Sequence, residues 1–188
     1  MREKAAVLSE TPLSGKRIRW ISATAVGIAL FVVLTLCLQV PVFENYYLCL
    51  GYVIMAVCLY SFGTLSGTIT GVIGVVLYCL LTSGIRGMPG WAAGNAVIGV
   101  IVGLTFRFTK RTNRKWLQAV LNFLAIAVST ALVILIMKSL TESILYSQPM
   151  VIRMGKNVFA FVADIVVLEI SLPICMALDG VIRKIMKL

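Results

Sequence analysis

Six apolar runs, separated by short segments that hold most of the charged residues, dominate the pattern of the chain. The runs cover residues 20–40, 48–62, 65–82, 91–106, 116–137 and 157–178. A helix needs roughly 20 apolar residues to cross the hydrocarbon core of a bilayer. The pattern therefore predicts an all-α integral membrane protein, a bundle of six transmembrane helices.

Composition agrees with this class. Hydrophobic residues make up 60% of the chain and charged residues 13%, and the mean hydropathy is +1.01. A soluble domain carries about 25% charged residues. We expect one transmembrane domain at 20–182, between a basic cytosolic N-terminal tail at 1–19 and a basic cytosolic C-terminal tail at 183–188.

The positions of the basic residues predict the orientation. Thirteen of the seventeen Lys and Arg residues lie in 1–19, 107–115 and 183–188, which alternating helices place on one side. Cytoplasmic segments of membrane proteins are enriched in Lys and Arg, so both termini are expected in the cytoplasm. This placement accounts for the net charge of +10 without a nucleic-acid partner.

Small residues on the first predicted helix leave two interpretations open. Ala25 and Ala29 are four residues apart, as are Ala23 and Gly27. Small residues at this spacing allow another helix to approach closely. The face can dock a partner subunit or pack within the bundle. For the third helix, where Gly63, Gly67, Gly71 and Gly74 recur, we expect internal packing.

Polar residues near the external ends of the helices indicate a small-molecule pocket. Polar side chains at membrane depth are costly and usually functional, and ligand pockets combine aromatic walls with a few directed polar groups. The candidate binding residues are Tyr46, Tyr47, Arg86, Trp91, Asn95, Arg153, Asn157 and Asp164. Glu169 is five residues beyond Asp164, so it is expected to point away by roughly 140°.

Catalytic and metal sites are not supported. The chain has no histidine, and its five cysteines have no metal-ligand spacing. No phosphate-binding loop follows a strand, so we expect no ATP hydrolysis by this chain and no cofactor. Two alternatives to a binding protein remain: a small structural or assembly protein with glycine-rich packing faces, and a membrane-embedded enzyme that uses Asp164 and Glu169.

Three segments make the chain resemble the substrate-binding subunits (S components) of energy-coupling factor (ECF) transporters, in the riboflavin-transporter-like branch. They are residues 21–31 with the Ala25 and Ala29 pair, residues 51–74 with their glycine-rich helix, and residues 88–99, which begin Met-Pro-Gly-Trp. The chain departs from that branch at Gly51-Tyr52, where Gly-Asp is expected. The resemblance therefore leaves the vitamin open.

The resemblance implies a non-catalytic vitamin-capture subunit in a bacterial plasma membrane. Its partners would be a transmembrane coupling protein (EcfT-like) and two cytosolic ATPases, with Ala25 and Ala29 facing the coupling protein. A flavin, pyridoxine, a thiamine pyrimidine, pantothenate and a corrinoid such as cobalamin all remain candidate ligands.

Overall fold

The computed structural model describes residues 15–38, 40–43, 46–82, 84, 87–112 and 114–186. A hairpin of strands β1 (Val40–Phe43) and β2 (Tyr46–Leu48) follows the first helix, and a π-helical segment (Leu132–Lys138) joins α5 to α6 without a break. The α-helices are α1 (Gly15–Cys37), α2 (Gly51–Ser61), α3 (Thr64–Leu81), α4 (Met88–Thr109), α5 (Lys115–Ala131), α6 (Ser139–Tyr146) and α7 (Met150–Met186).

The prediction of a helical membrane protein is confirmed, although the helices differ in length from the predicted spans. Within the described residues, five helical segments are long and apolar enough to cross a membrane. The exception is α2, which has 11 residues and spans only about 16 Å. The predicted count of six full-length spans is therefore not reproduced by helix length.

Two segments between predicted spans contain regular secondary structure. Residues 138–156 form the end of the π-helical segment, α6 and the first turns of α7, with a tight turn at Ser147 between the helices. Polar residues there bond to each other across the turn, which hydropathy does not reveal. The segment between the first two predicted spans contains part of the β1–β2 hairpin.

Contacts at helix ends show how the chain runs through the bundle. Trp20, near the start of α1, donates a hydrogen bond to the carbonyl oxygen of Phe62 after α2. Lys110, which caps α4, bonds to the Tyr60 carbonyl and forms an ion pair with Asp179 of α7. The start of α1 and the last turns of α7 therefore lie at one end, which we call the basic end.

Neighbouring helices divide the bundle into two sides. Helix α1 packs against α2 and α3, whereas α5 packs against α4 and α7. Helix α2 lies between these sides, in contact with α1, α3, α4 and α7. Its buried residues Tyr52, Met55 and Leu59 form the centre of the core.

Glycines bring α3 and α4 close to their neighbours. A Cβ added at Gly67 would collide with the side chain and backbone nitrogen of Leu59, and one at Gly74 would lie 2.5 Å from Phe31. The prediction of internal packing is confirmed for Gly67, Gly71 and Gly74, whereas Gly63 lies before α3, is exposed and has no close neighbour. Gly103 of α4 approaches the Cα of Thr64 in the same way.

Candidate functional site

Tyr52 is the centre of a buried hydrogen-bonded cluster at the end of the bundle opposite the basic end. Its side chain is 1% exposed. The Trp91 indole Nε1 donates to the Tyr52 hydroxyl over 2.8 Å, and this hydroxyl donates to Asn95 Oδ1 over 2.9 Å. Asn95 Nδ2 in turn donates to the Gly71 carbonyl at 3.0 Å. The cluster thus joins α2, α4 and α3.

Two charged residues complete the cluster from the other side of the bundle. Asp164 of α7 is buried and lies in the wall of the same small cavity as Tyr52. Lys138, the last residue of the π-helical segment, lines that cavity as well. A cation in the same cavity offsets part of the desolvation penalty of a buried carboxylate.

The cluster surrounds a small closed cavity of about 10 Å³. Its lining consists of Tyr52, Gly90, Trp91, Gly94, Asn95, Ile98, Val133, Ile134, Lys138 and Asp164. This volume holds about one water molecule, whereas pockets for small-molecule ligands measure roughly 300–1,000 Å³. The cavity is therefore too small to hold a small-molecule ligand of that size.

The π-helical segment shapes one wall of this cavity. It contributes Val133, Ile134 and Lys138 to the lining, and the Ser139 hydroxyl donates to the Ile134 carbonyl five residues earlier. π-Helical turns are rare and are frequently found at functional sites. The wall that carries Lys138 is thus the least regular helical part of the bundle.

A second polar cluster joins α6 to α7. Asn157 Nδ2 donates to the Ser139 hydroxyl at 2.9 Å and to Glu142 Oε2 at 3.1 Å. Arg153 lies 3.9 Å from the same carboxylate oxygen, and its guanidinium group lies over the Tyr146 ring. These bonds hold the α6–α7 hairpin together.

The structure brings some of the predicted binding residues together and separates others. Trp91, Asn95 and Asp164 belong to the cluster around Tyr52, whereas Arg153 and Asn157 belong to the α6–α7 cluster. Tyr46 and Tyr47 lie in strand β2, and Arg86 lies outside the described residues.

Sequence reasoning missed Tyr52, Lys138 and Glu142. Tyr52 follows Gly51 at the start of an apolar run, and the pattern gives no sign of a buried hydroxyl there. Lys138 and Glu142 lie between the fifth and sixth predicted spans, so the apolar pattern does not place them at membrane depth. The expected divergence of Glu169 from Asp164 agrees with the structure, since Glu169 does not line the cavity.

The four small residues predicted to dock a partner differ in exposure. Ala25 and Ala29 are exposed on α1, and Ala23 is half-buried. Gly27 is buried, and a Cβ there would lie 2.8 Å from Cys58 Sγ and 3.2 Å from the Thr70 hydroxyl. Gly27 therefore allows α1 to pack within the bundle, and Ala25 and Ala29 are the accessible pair.

The fold indicates a class of protein, and comparison with known sequences identifies the family. A helical membrane bundle with a buried polar cavity is typical of a membrane protein that binds a small solute. The sequence matches the family described as "ECF-type riboflavin transporter, S component" over residues 16–179. The chain belongs to this family of multi-pass membrane transporter subunits.

Two curated proteins match this chain over the same number of residues. They are a UPF0397 protein from Streptococcus thermophilus strain ATCC BAA-491 / LMD-9 and the UPF0397 protein str0306 from strain CNRZ 1066 of that species. Each is 28% identical over 92 residues, covering 49% of this chain and 50% of the relative. The matched part thus spans about half the length of these relatives. No solved structure matches the chain.

Proposed function

We propose that this chain is the substrate-capture subunit of an ECF-type vitamin importer. It binds a water-soluble vitamin or vitamin precursor from outside and delivers it inward together with an ATP-driven module. The observation that carries the proposal is the buried Tyr52–Trp91–Asn95 cluster with Asp164 and Lys138, in a chain that belongs to the S-component family.

The orientation supports capture from outside. The basic end contains the described parts of the segments that the positive-inside rule assigns to the cytoplasm. Because the Tyr52 cluster lies at the opposite end, it faces the external medium of a bacterial plasma membrane. A solute from the medium then reaches the cluster without crossing the hydrocarbon core.

The chemistry of the cluster favours a planar heteroaromatic ligand that has both donors and acceptors. Trp91 and Tyr52 provide aromatic surface, Asn95 provides an amide, and Asp164 and Lys138 provide one charge of each sign. Flavins, pyridoxine and thiamine pyrimidines have this character, and pantothenate and cobalamin are the remaining candidates. Binding requires the cavity to expand, and movement of the π-helical wall is the simplest route.

The energy for transport comes from partners in this proposal. Family membership supports association with a transmembrane coupling protein and two cytosolic ATPases. The exposed Ala25 and Ala29 pair is the proposed contact with the coupling protein, because small residues allow close helix approach in lipid.

The test is a titration of the detergent-purified protein with a panel of vitamins and precursors, followed by tryptophan fluorescence. A Trp20→Phe/Trp116→Phe background leaves Trp91 as the reporter. Saturable quenching by one compound is expected and would name the ligand. If folded, ligand-free protein responds to none of these compounds, the result would favour the alternative of a small structural or assembly protein that binds no ligand.

A matched pair of variants locates the binding site. Trp91→Phe removes the indole donor to Tyr52 and is expected to weaken binding, measured by isothermal titration calorimetry. Trp116→Phe changes an indole that is 75% exposed near the basic end, so it should bind like the unmodified protein. Equal affinity for both variants would place the ligand elsewhere.

A further inference from the structure

An apolar groove between α5 and α7 contains polar groups that have no partner. The groove has a volume of about 640 Å³, and its lining includes Asn122, Phe123, Glu169, Ile170, Pro173 and Met176. Both carboxylate oxygens of Glu169 are buried and, within the described residues, form no hydrogen bond. The groove is separate from the Tyr52 cavity, and the two share none of their lining residues.

Asn122 is a second unpartnered group in the groove. Its side chain is 1% exposed, and its Oδ1 accepts a hydrogen bond of 2.8 Å from the Thr109 hydroxyl. This bond fixes the amide orientation. The Nδ2 group, in contrast, has no acceptor in the part of the chain that the structure describes.

Pro173 adds a third group. It lies inside α7, four residues after Glu169. Proline has no N–H, so the Glu169 carbonyl lacks its usual helical donor. Glu169, Asn122 and Pro173 thus all line a groove that is otherwise apolar.

The depth of Glu169 in the bilayer narrows the choice of occupant. Glu169 is ten residues before Asp179 of the basic end, about 15 Å along the helix. A bilayer whose cytoplasmic boundary lies at the basic end therefore has Glu169 near the middle of its hydrocarbon core. Lipid headgroups do not reach this depth. Acidic residues within membranes usually pair with a basic side chain on a neighbouring helix, which carries its charge across the hydrocarbon.

We infer that the α5–α7 groove docks a transmembrane helix of a partner protein that places a Lys or Arg side chain against Glu169. The cation pairs with the carboxylate, and apolar residues of the partner helix fill the space between Phe123 and Met176. This surface lies across the bundle from α1, because α1 packs on α2 and α3. It is therefore distinct from the Ala25 and Ala29 face.

The test uses a synthetic transmembrane peptide of leucine and alanine with one central lysine, and a matched peptide with methionine in place of the lysine. Cys37 is the exposed cysteine of the chain, whereas the other four are buried, so it takes a donor dye for energy transfer in vesicles. We expect saturable association of the lysine peptide. Glu169→Gln should weaken it by roughly tenfold or more, as expected for a hydrogen bond to a charged group.

Two tryptophan variants test the groove without changing Glu169. Ile170 lines the groove and is 58% exposed, whereas Val166, one turn earlier, is 45% exposed and does not line it. Ile170→Trp should block the lysine peptide, and Val166→Trp should not. Equal association of both peptides, or equal association in Glu169→Gln and the unmodified protein, would overturn the inference.

Measuring vitamin affinity tests the docking groove and the proposed vitamin site independently. The peptide assay needs no vitamin, so its outcome does not depend on the ligand of the Tyr52 site. Glu169→Gln should leave vitamin affinity unchanged, because Glu169 is not in that cavity. A loss of vitamin affinity equal to the loss of peptide affinity would place Glu169 in the substrate site and overturn the docking role.

Discussion

The indole of Trp91 and the hydroxyl of Tyr52, 39 positions apart in the chain, are joined by a hydrogen bond of 2.8 Å. The indole N–H can only donate, so the Tyr52 oxygen accepts and its single proton is directed to Asn95. Asn95 then donates to the Gly71 carbonyl. Each group in this series donates a hydrogen bond to the next, from Trp91 to Tyr52, Asn95 and the Gly71 carbonyl. This order fixes the orientation of the Asn95 amide inside the bundle.

The first prediction concerns Tyr52→Phe. The change leaves the Trp91 N–H and Asn95 Oδ1 buried without a partner, which costs about 1–3 kcal/mol for each group left unsatisfied. We expect a lower unfolding temperature in detergent and weaker vitamin binding. Tyr146→Phe is the control, since this ring lies at the α6–α7 turn and keeps its contact with Arg153. Equal unfolding temperatures for the two variants would refute the central role of the hydroxyl.

The helical class and part of the site could be predicted because the bilayer imposes simple rules on sequence. Long apolar runs, basic segments at one end and the polar residues Asn95 and Asp164 at membrane depth are visible without a structure. Lys138 could not be assigned in this way. Its position in the wall depends on the π-helical segment, which packs against α4 and α7 and has no local sequence signal. The buried hydrogen bonds of Tyr52 have no sequence signal either, because tyrosine counts as apolar in the hydropathy pattern although its hydroxyl forms hydrogen bonds.

The second prediction is that Asp164 and Lys138 are energetically coupled. Asp164 and Lys138 line the same small cavity, so Asp164→Asn removes one of its two ionisable groups and Lys138→Met removes the other. Each single change is expected to destabilise the protein, and the double variant should lose less than the sum. Coupling energies between interacting residues are about 0.5–3 kcal/mol. Unfolding of all four proteins in SDS titrations measures the coupling, and strict additivity would show that the two charges do not interact.

The third prediction uses two helical glycines with opposite surroundings. A Cβ at Gly67 would collide with Leu59, including its backbone nitrogen, whereas a Cβ at Gly155 meets nothing within 4 Å. Gly67→Ala should therefore separate α3 from α2 and lower stability. Gly155→Ala should raise stability by about 0.5–1 kcal/mol, since alanine loses less backbone entropy in a helix. Thermal unfolding in detergent measures both, and a destabilised Gly155→Ala with an unaffected Gly67→Ala would contradict the packing described for α3.

The last prediction tests the Ala25 and Ala29 face of α1. Either Ala25→Trp or Ala29→Trp adds a large side chain at an exposed position, so the fold and the buried Tyr52 site should persist. We expect loss of vitamin uptake in cells that express the ATP-driven module, with unchanged vitamin binding by the purified protein. Val128→Trp is the control, because Val128 is 63% exposed on α5, away from α1.

Measuring vitamin binding and vitamin uptake separately distinguishes a docking role of the Ala25 and Ala29 face from a role in internal packing. If the alanines served only internal packing, as Gly27 does, a tryptophan there would disturb the bundle and reduce binding and uptake together. If lipid alone covers the face, both activities would survive, as in Val128→Trp. Only a surface that another helix must approach closely predicts intact binding with lost uptake, because the added side chain then blocks the partner and leaves the cavity untouched.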